Sequence, residues 1–304
     1  VSGCGKTSAA IEQPYDVYAT AADFGLSSNG TAEAKSYFAS DLCVSEDVAI
    51  GTDSTDSQVA EGAGTFNLET NTVVYAKNLY ERLYPASTTK ILTAYIALKY
   101  CDDLDAMVTV SENAVNQASD SSVCNLKAGD VIRLRDLLYG LMLRSGNDAA
   151  VAIAEYISGD VDSFAALMNQ EAAAMGATRS HFVNPNGLPD ENHYTCVYDM
   201  YLIFSNAIKN DTFVSIIGTT SYDVTYTDAS GEAVTHTWEN TNQYLTGNAT
   251  TPDGFQIVGG KTGTTGEAGY CLVLYSYNPS GQPIISIVFK ADGKSNLYLL
   301  MNEM

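Results

Sequence analysis

Residues 87–100 place apolar side chains on most faces of any helix they could form: Ile91, Leu92, Ala94, Tyr95, Ile96 and Leu98. A helix apolar nearly all round has to be enclosed by other elements, so it asks for a domain with layers on several sides of it. Patterning before and after this helix says what those layers are. Upstream, Thr65-Phe66-Asn67-Leu68 and Thr72-Val73-Val74-Tyr75-Ala76 flank the turn Glu69-Thr70-Asn71 and read as a β-hairpin. Downstream, Leu134, Leu137, Leu138, Leu141 and Met142 recur at helical spacing, followed after a break by Ala149, Ile153 and Ile157. Residues 164–175 form a further helical stretch, and Gly176 suits its C-terminal cap. Strand-like runs then dominate: 222–227 with 233–238, and 270–277 with 284–289, before a closing helix from 295.

This order predicts an α/β (α+β) fold, an antiparallel sheet flanked by helices, with an inserted all-helical lobe. Early and late strands must share the sheet, because the helices lie between them. The expected boundaries are a flexible leader over 1–61 and a domain over 62–304. Within the domain, an α/β lobe takes 62–100 and 210–304, and the helical lobe takes 101–209. The leader is rich in Ala, Ser, Thr, Asp and Gly, with 51–56 its most linker-like part and one short helix expected near 32–42.

Charge narrows the partners. A formal net charge of -21 would repel a polyphosphate, so nucleic acid is excluded as a ligand. The longest apolar stretches are far short of the roughly 20 residues that span a bilayer. Six cysteines, Cys4, Cys43, Cys101, Cys124, Cys196 and Cys271, include no C-x-x-C pair and no zinc-finger spacing. No metal or other cofactor is expected. Val1-Ser2-Gly3-Cys4 is similar to the end of a bacterial lipoprotein signal, which makes Cys4 a candidate lipidation site and the only expected link to a membrane. On that reading the protein sits outside the cytoplasm, in the cell envelope. Gly3-Cys4-Gly5-Lys6-Thr7 resembles part of a phosphate-binding loop but lacks its first glycine and preceding strand.

Three short motifs carry the chemistry: Ser87-Thr88-Thr89-Lys90, Ser145-Gly146-Asn147 and Lys261-Thr262-Gly263. Ser87 and Lys90 stand at i and i+3 of the helix start, roughly 5–6 Å apart at Cβ. A serine hydroxyl needs a base, and a lysine serves only if burial or a nearby cation lowers its pKa. The helix N-terminus directs backbone N–H groups towards Ser87. Ser145-Gly146-Asn147 falls in the break between helices, where Ser145 could relay a proton and Asn147 could bind a substrate amide. Lys261-Thr262-Gly263 is expected just before the strand 270–277, offering an ammonium and a hydroxyl to a carboxylate and a glycine to a close backbone. Thr264 N–H would be a second oxyanion donor. Singly, each motif is common; their joint order is specific.

With their flanks, residues 84–94, residues 138–151, Phe182-Val183-Asn184-Pro185-Asn186-Gly187-Leu188 and residues 260–273, the chain resembles the low-molecular-mass penicillin-binding proteins of the D-alanyl-D-alanine carboxypeptidase family. The resemblance covers about residues 62–304. It implies cleavage of the terminal D-alanine from peptidoglycan stem peptides, and inhibition by β-lactam antibiotics. It makes Ser87 the nucleophile, Lys90 the base, Ser145 and Asn147 the second element, and Lys261 the lysine of the carboxylate and proton network.

Neighbouring readings differ from this one by identifiable residues. A D,D-endopeptidase acting on cross-links would use the same chemistry. A class A β-lactamase would deacylate with a glutamate four residues before an asparagine, and none of Glu155, Glu171, Glu191, Glu232 or Glu239 has one. The Y-x-N of class C enzymes and a G-x-S-x-G elbow are both missing. A non-catalytic penicillin-binding sensor would be expected to have lost one of the motif residues. The three histidines, His181, His193 and His236, are expected in loops or on the surface, and Cys196 stands where a small or hydroxyl residue is expected.

Overall fold

A five-stranded antiparallel sheet organises the chain, in the spatial order β2 (Thr72–Lys77), β1 (Ala60–Asn67), β9 (Pro283–Ala291), β8 (Gly269–Tyr277), β7 (Gln256–Thr265). The computed structural model describes residues 41–52 and 56–304. Strands β1 and β2 precede the helices, while β7, β8 and β9 come from the end of the chain. Early and late strands meet where β1 pairs with β9, from Ala60 opposite Ala291 to Asn67 opposite Ile284. Helix α1, Lys90–Tyr100, continues directly from a 3-10 turn over Ala86–Thr89. It is enclosed as its composition requires, with Ile91, Leu92, Ala94, Ile96 and Ala97 all without exposed surface.

The inserted lobe carries α2 (Glu112–Val115), α3 (Leu134–Tyr139), a π-helical turn over Gly140–Arg144, α4 (Asn147–Ser158) and α5 (Val161–Ala174). Gly176 follows α5 at a φ of +84°, the left-handed conformation that glycine adopts without steric cost. Helices α6 (Val197–Ala207) and α7 (Asp211–Ile217) lead back, and α8 (Lys294–Glu303) lies against the large sheet. Alpha helices α4, α5 and α6 all pack on α1.

Two expectations about this architecture are corrected. The inserted lobe is not all helical: β3 (Met107–Thr109) and β4 (Val131–Arg133) pair in it. With β5 (Ser221–Thr227) and β6 (Ala233–Glu239) they form a separate four-stranded sheet, so the 222–238 hairpin belongs beside the inserted lobe and not to the large sheet. Strands of three residues are too short to display a period of two, which is why they pass as loop. The compact unit that holds the sheet also starts earlier than 62. One compact unit runs from Cys43 to Met304. Tyr201 Oη accepts from Cys43 N–H at 2.9 Å, Tyr198 Oη donates to the Cys43 carbonyl at 2.8 Å, and Ile50 bridges to Ala76. The anchoring groups here are backbone atoms held by distant tyrosines, and composition does not show them. Residues 32–40 of the expected helix, residues 53–55 of the linker-like stretch 51–56, and Cys4 lie outside the described residues.

Candidate active site

The 3-10 turn lifts Ser87 to the mouth of a cleft and leaves Lys90 beneath it with no exposed surface. Ala86, just before the serine, has a φ of +47°, a strained conformation for a residue with a Cβ. Two glycines permit this turn to be so closely packed. A Cβ on Gly263 would come within 3.0 Å of Ser87 N, and one on Gly187 within 1.8 Å of the Ala86 carbonyl oxygen.

Lys90 Nζ lies 2.9 Å from Ser87 Oγ, 2.8 Å from Asn147 Oδ1 and 2.7 Å from the Asn186 carbonyl oxygen. Those distances decide what the lysine can do. A neutral amine has two hydrogens and one lone pair. Two acceptors without hydrogens of their own, Asn147 Oδ1 and Asn186 O, take the two N–H bonds. The lone pair is left facing Ser87, whose O–H can donate to it. Burial, and then the positive charge of Lys261, hold the Lys90 pKa well below the ordinary lysine value. Nothing acidic contacts Lys90 directly among the described residues.

Ser145 closes the π-helical turn in the left-handed conformation, φ +60° and ψ +36°, which turns its side chain back across the cleft. π-turns of this kind recur at functional sites. Lys261 Nζ donates to Ser145 Oγ at 3.0 Å and to the Thr262 carbonyl at 2.7 Å. Burial alone brings the Lys261 pKa down to about 7. Asn147 opens α4, and its N–H donates to the Ser122 carbonyl at 2.8 Å. Next to it the buried Asp148 carboxylate accepts from Cys124 N–H and Leu126 N–H, pinning the loop that brings Ser122 to the cleft.

All the motif residues therefore converge, and one motif, Lys261-Thr262-Gly263, stands on an element that sequence patterning did not mark. Lys261, Thr262 and Gly263 do precede the strand over 270–277, as expected, but they also lie inside a strand of their own, β7, the edge strand of the large sheet, paired with Val273, Leu272 and Cys271. Two glycines at 259 and 260 and an apolar flank of only two residues disguised it as a loop. Thr264 is exposed and lines the cleft on both sides of Ser87. One arm of the cleft adds Thr241, Lys294 and Tyr298, the other adds Asp120, Ser121 and Leu188, and Ser122 lines both. Thr241 and Thr262 share a hydroxyl–hydroxyl hydrogen bond of 2.6 Å.

The residue that motif reasoning missed is Asn186. Its contribution to Lys90 is a backbone carbonyl, which no side-chain pattern announces; the flanking Asn-Pro-Asn-Gly turn is the only signal. His193 lies in a loop, as expected, but is fully buried beside this turn. Cys196 is buried and caps α6, accepting from Asp199 N–H at 3.4 Å, so the thiol stands in for the usual capping hydroxyl. Burial pushes its pKa up to about 12, and it does not line the cleft. Cys43, Cys101, Cys124 and Cys271 are likewise free thiols.

Fold and cleft together define a serine hydrolase in which a lysine, and not a histidine, faces the serine. Comparison with known proteins agrees. The family profile for D-alanyl-D-alanine carboxypeptidase, peptidase S11, matches residues 51–293. The chain is 35% identical over 237 residues to D-alanyl-D-alanine carboxypeptidase DacF of Bacillus subtilis, covering 76% of this chain and 57% of that protein. It is 36% identical over 239 residues to a Streptomyces D-alanyl-D-alanine carboxypeptidase, covering 75% of this chain and 80% of the relative. The crystal structure of the Streptomyces K15 DD-transpeptidase superposes with a TM-score of 0.74 at 32% identity, over 81% of this chain and 95% of that one. DacD from Francisella tularensis gives 0.71 at 28% identity, over 86% and 71%. The chain belongs to the D-alanyl-D-alanine carboxypeptidase family. It spans little more than half the length of several curated relatives, DacF and the Haemophilus influenzae DacA among them.

Proposed function

We propose that this protein removes the terminal D-alanine from peptidoglycan stem peptides through an acyl-enzyme on Ser87. The observation that carries the reading is the set of three contacts around Lys90, which leaves a lone pair on the serine hydroxyl. Lys90 takes the Ser87 proton as Oγ attacks the carbonyl between the two D-alanines. The resulting oxyanion is received by the N–H groups of Ser87 and Thr264. The proton then passes to the nitrogen of the departing D-alanine, with Ser145 as the relay on its side of the cleft. Water, deprotonated by Lys90, attacks the ester and returns the proton to Ser87 Oγ. Lys261 and Thr262 hold the terminal carboxylate. A β-lactam forms the same ester but keeps its amine tethered, so we expect it to trap Ser87.

The test is D-alanine release from an N-acyl-L-Lys-D-Ala-D-Ala tripeptide, blocked by penicillin. No release, with penicillin still bound at Ser87, would contradict hydrolysis of this terminus and favour cleavage of cross-links. A second resolution of the ester rests on a specific observation: the similar Streptomyces K15 structures are described as a DD-transpeptidase. An amine acceptor could replace water in the last step. Glycine added to the assay distinguishes the two, since transfer yields acyl-L-Lys-D-Ala-Gly.

Two further outcomes follow. Replacing Lys261 by alanine should raise KM most for peptides with a free terminal carboxylate, by roughly ten- to a hundredfold for a lost charged hydrogen bond. Equal losses on an amidated peptide would remove Lys261 from that role. The kcat/KM profile should be bell-shaped. Its acid limb reports Lys90, which acts only when neutral and whose pKa is depressed, so activity persists far below the ordinary lysine range. Its alkaline limb begins near 7, where Lys261 loses its charge. A profile that climbs steadily beyond about pH 10 would contradict both assignments.

Because Val1-Ser2-Gly3-Cys4 is similar to the end of a bacterial lipoprotein signal, we place the protein in the bacterial cell envelope, with Cys4 as its lipid attachment point. Incorporation of labelled palmitate that is lost in Cys4→Ser would support this, and a protein that stays unlabelled would contradict it.

A further inference from the structure

His193 has no part in the steps above, yet it is fully buried 104 residues along the chain from the hydroxyl it meets. Its Nε2 lies 2.9 Å from Thr89 Oγ1, and its Nδ1 accepts from Val183 N–H at 3.1 Å. A ring nitrogen that accepts a backbone N–H carries no proton, so the proton is on Nε2 and points at Thr89. The imidazole thus joins two segments. Thr89 belongs to the 3-10 turn between Ser87 and Lys90, and Val183 begins the loop that supplies the Asn186 carbonyl to Lys90.

The same loop meets α1 and the turn before it at two more points. Thr93 Oγ1 donates to the Pro185 carbonyl at 2.6 Å, and Gly187 packs directly on the Ala86 carbonyl. Of the three hydrogen-bonded ties, made by Thr89, Thr93 and Lys90, only the one between His193 and Thr89 enters the turn over Ala86–Thr89. Phe182 stands edge-on to the ring at 5.5 Å and fixes its plane. The charged or titratable groups that face it are Asp190, His181 and Lys90. Burial outweighs Asp190 and brings its pKa down to about 4, so the ring is neutral wherever the enzyme works.

We propose that His193 is a positioning residue for the reaction: as a neutral Nε2–H imidazole it clamps the 183–187 loop to the catalytic turn, and so holds the Asn186 carbonyl on Lys90. The consequence is chemical and not only structural. If the carbonyl drifts away, Lys90 loses the acceptor that directs its second N–H, and its lone pair is no longer fixed on Ser87. A displacement of about 1 Å at such a point can cost up to about a hundredfold in rate. Water admitted to the gap would also relieve the burial that depresses Lys90, moving its pKa upward.

This inference rests on Ser87 as nucleophile and Lys90 as base, and its test separates the two ideas. The second-order rate of Ser87 acylation by a fluorescent penicillin would be followed against pH in the intact chain. Wild type would be compared with His193→Gln, His193→Phe, Thr89→Val and Thr89→Ser, with the 15N shifts of His193 recorded in wild type. Thr89→Val and His193→Phe should slow acylation roughly ten- to a hundredfold, and shift the acid limb to higher pH. Thr89→Ser, which keeps the hydroxyl, should restore both rate and limb, and His193→Gln, which keeps a donor at the Nε2 position, should lie between. The ring should show the Nε2–H tautomer from pH 5 to pH 9. Should His193→Phe fail to fold, the smaller and nearly isosteric Thr89→Val still decides the matter. Wild-type rate and an unmoved acid limb in Thr89→Val, or a proton on Nδ1, would overturn the role of His193 alone. An absence of any Ser87 adduct in wild type would instead overturn the acyl-enzyme reading on which it stands.

Discussion

Replacing Ser87 by alanine, or Lys90 by methionine, should each lower D-alanine release by several orders of magnitude, and the double variant should be no worse than the poorer single one. The two groups form one device. Without the hydroxyl there is nothing for Lys90 to deprotonate, and without the lone pair the hydroxyl is an unactivated alcohol. Catalytic groups that act as a unit show such non-additive losses, on the order of 10⁶ for a whole serine-based set. Methionine is chosen because it fills the volume of the buried lysine stem without a charge, so the loss reads chemistry and not a cavity. Comparing initial rates of the four proteins in one double-mutant cycle checks this. Losses that multiply would mean that Lys90 acts on some other step.

Gly187→Ala should unfold at clearly lower urea than wild type and lose acylation as well. The new Cβ would stand 1.8 Å from the Ala86 oxygen and 2.4 Å from its carbon, both backbone atoms that cannot rotate away. The position also has a φ of +87°. Left-handed backbone costs a residue with a Cβ roughly 1–2 kcal/mol, and overpacking adds roughly 1–3 kcal/mol, so about 2–5 kcal/mol is expected in all. Gly159→Ala is the matched control, with a φ of +86° and nothing within 4 Å of the new Cβ. It should show the backbone cost alone, about 1–2 kcal/mol. Equal destabilisation of the two would mean that the contact between loop and catalytic turn is not tight.

The legible parts of this protein were those written in side chains. The enclosed helix α1, the hairpin of β1 and β2, and the pairing of early with late strands all follow from apolar spacing and turn residues. Serine and lysine at i and i+3 of a helix start fix their own proximity by helical geometry. What stayed hidden is carried by backbone or by tertiary context. The Asn186 carbonyl has no side-chain signature. Strands β3 and β4 are three residues long, and β7 is interrupted by Gly259 and Gly260. Helix α6 is rich in aromatic and β-branched residues, Val197, Tyr198, Tyr201, Ile203 and Phe204, of modest helix propensity. Its burial against α1 and the large sheet, including the stacked rings of Phe66 and Tyr201 at 4.2 Å, overrides that preference. His193 reads as a loop histidine until the fold brings Thr89 and Val183 to its two nitrogens.

Mass spectrometry of the penicillin-treated protein, before and after proteolysis, tests the central claim most directly. The account predicts one penicilloyl group per chain, on the peptide that contains Ser87, and none in Ser87→Ala. An adduct on any other residue, or one that survives in Ser87→Ala, would contradict it.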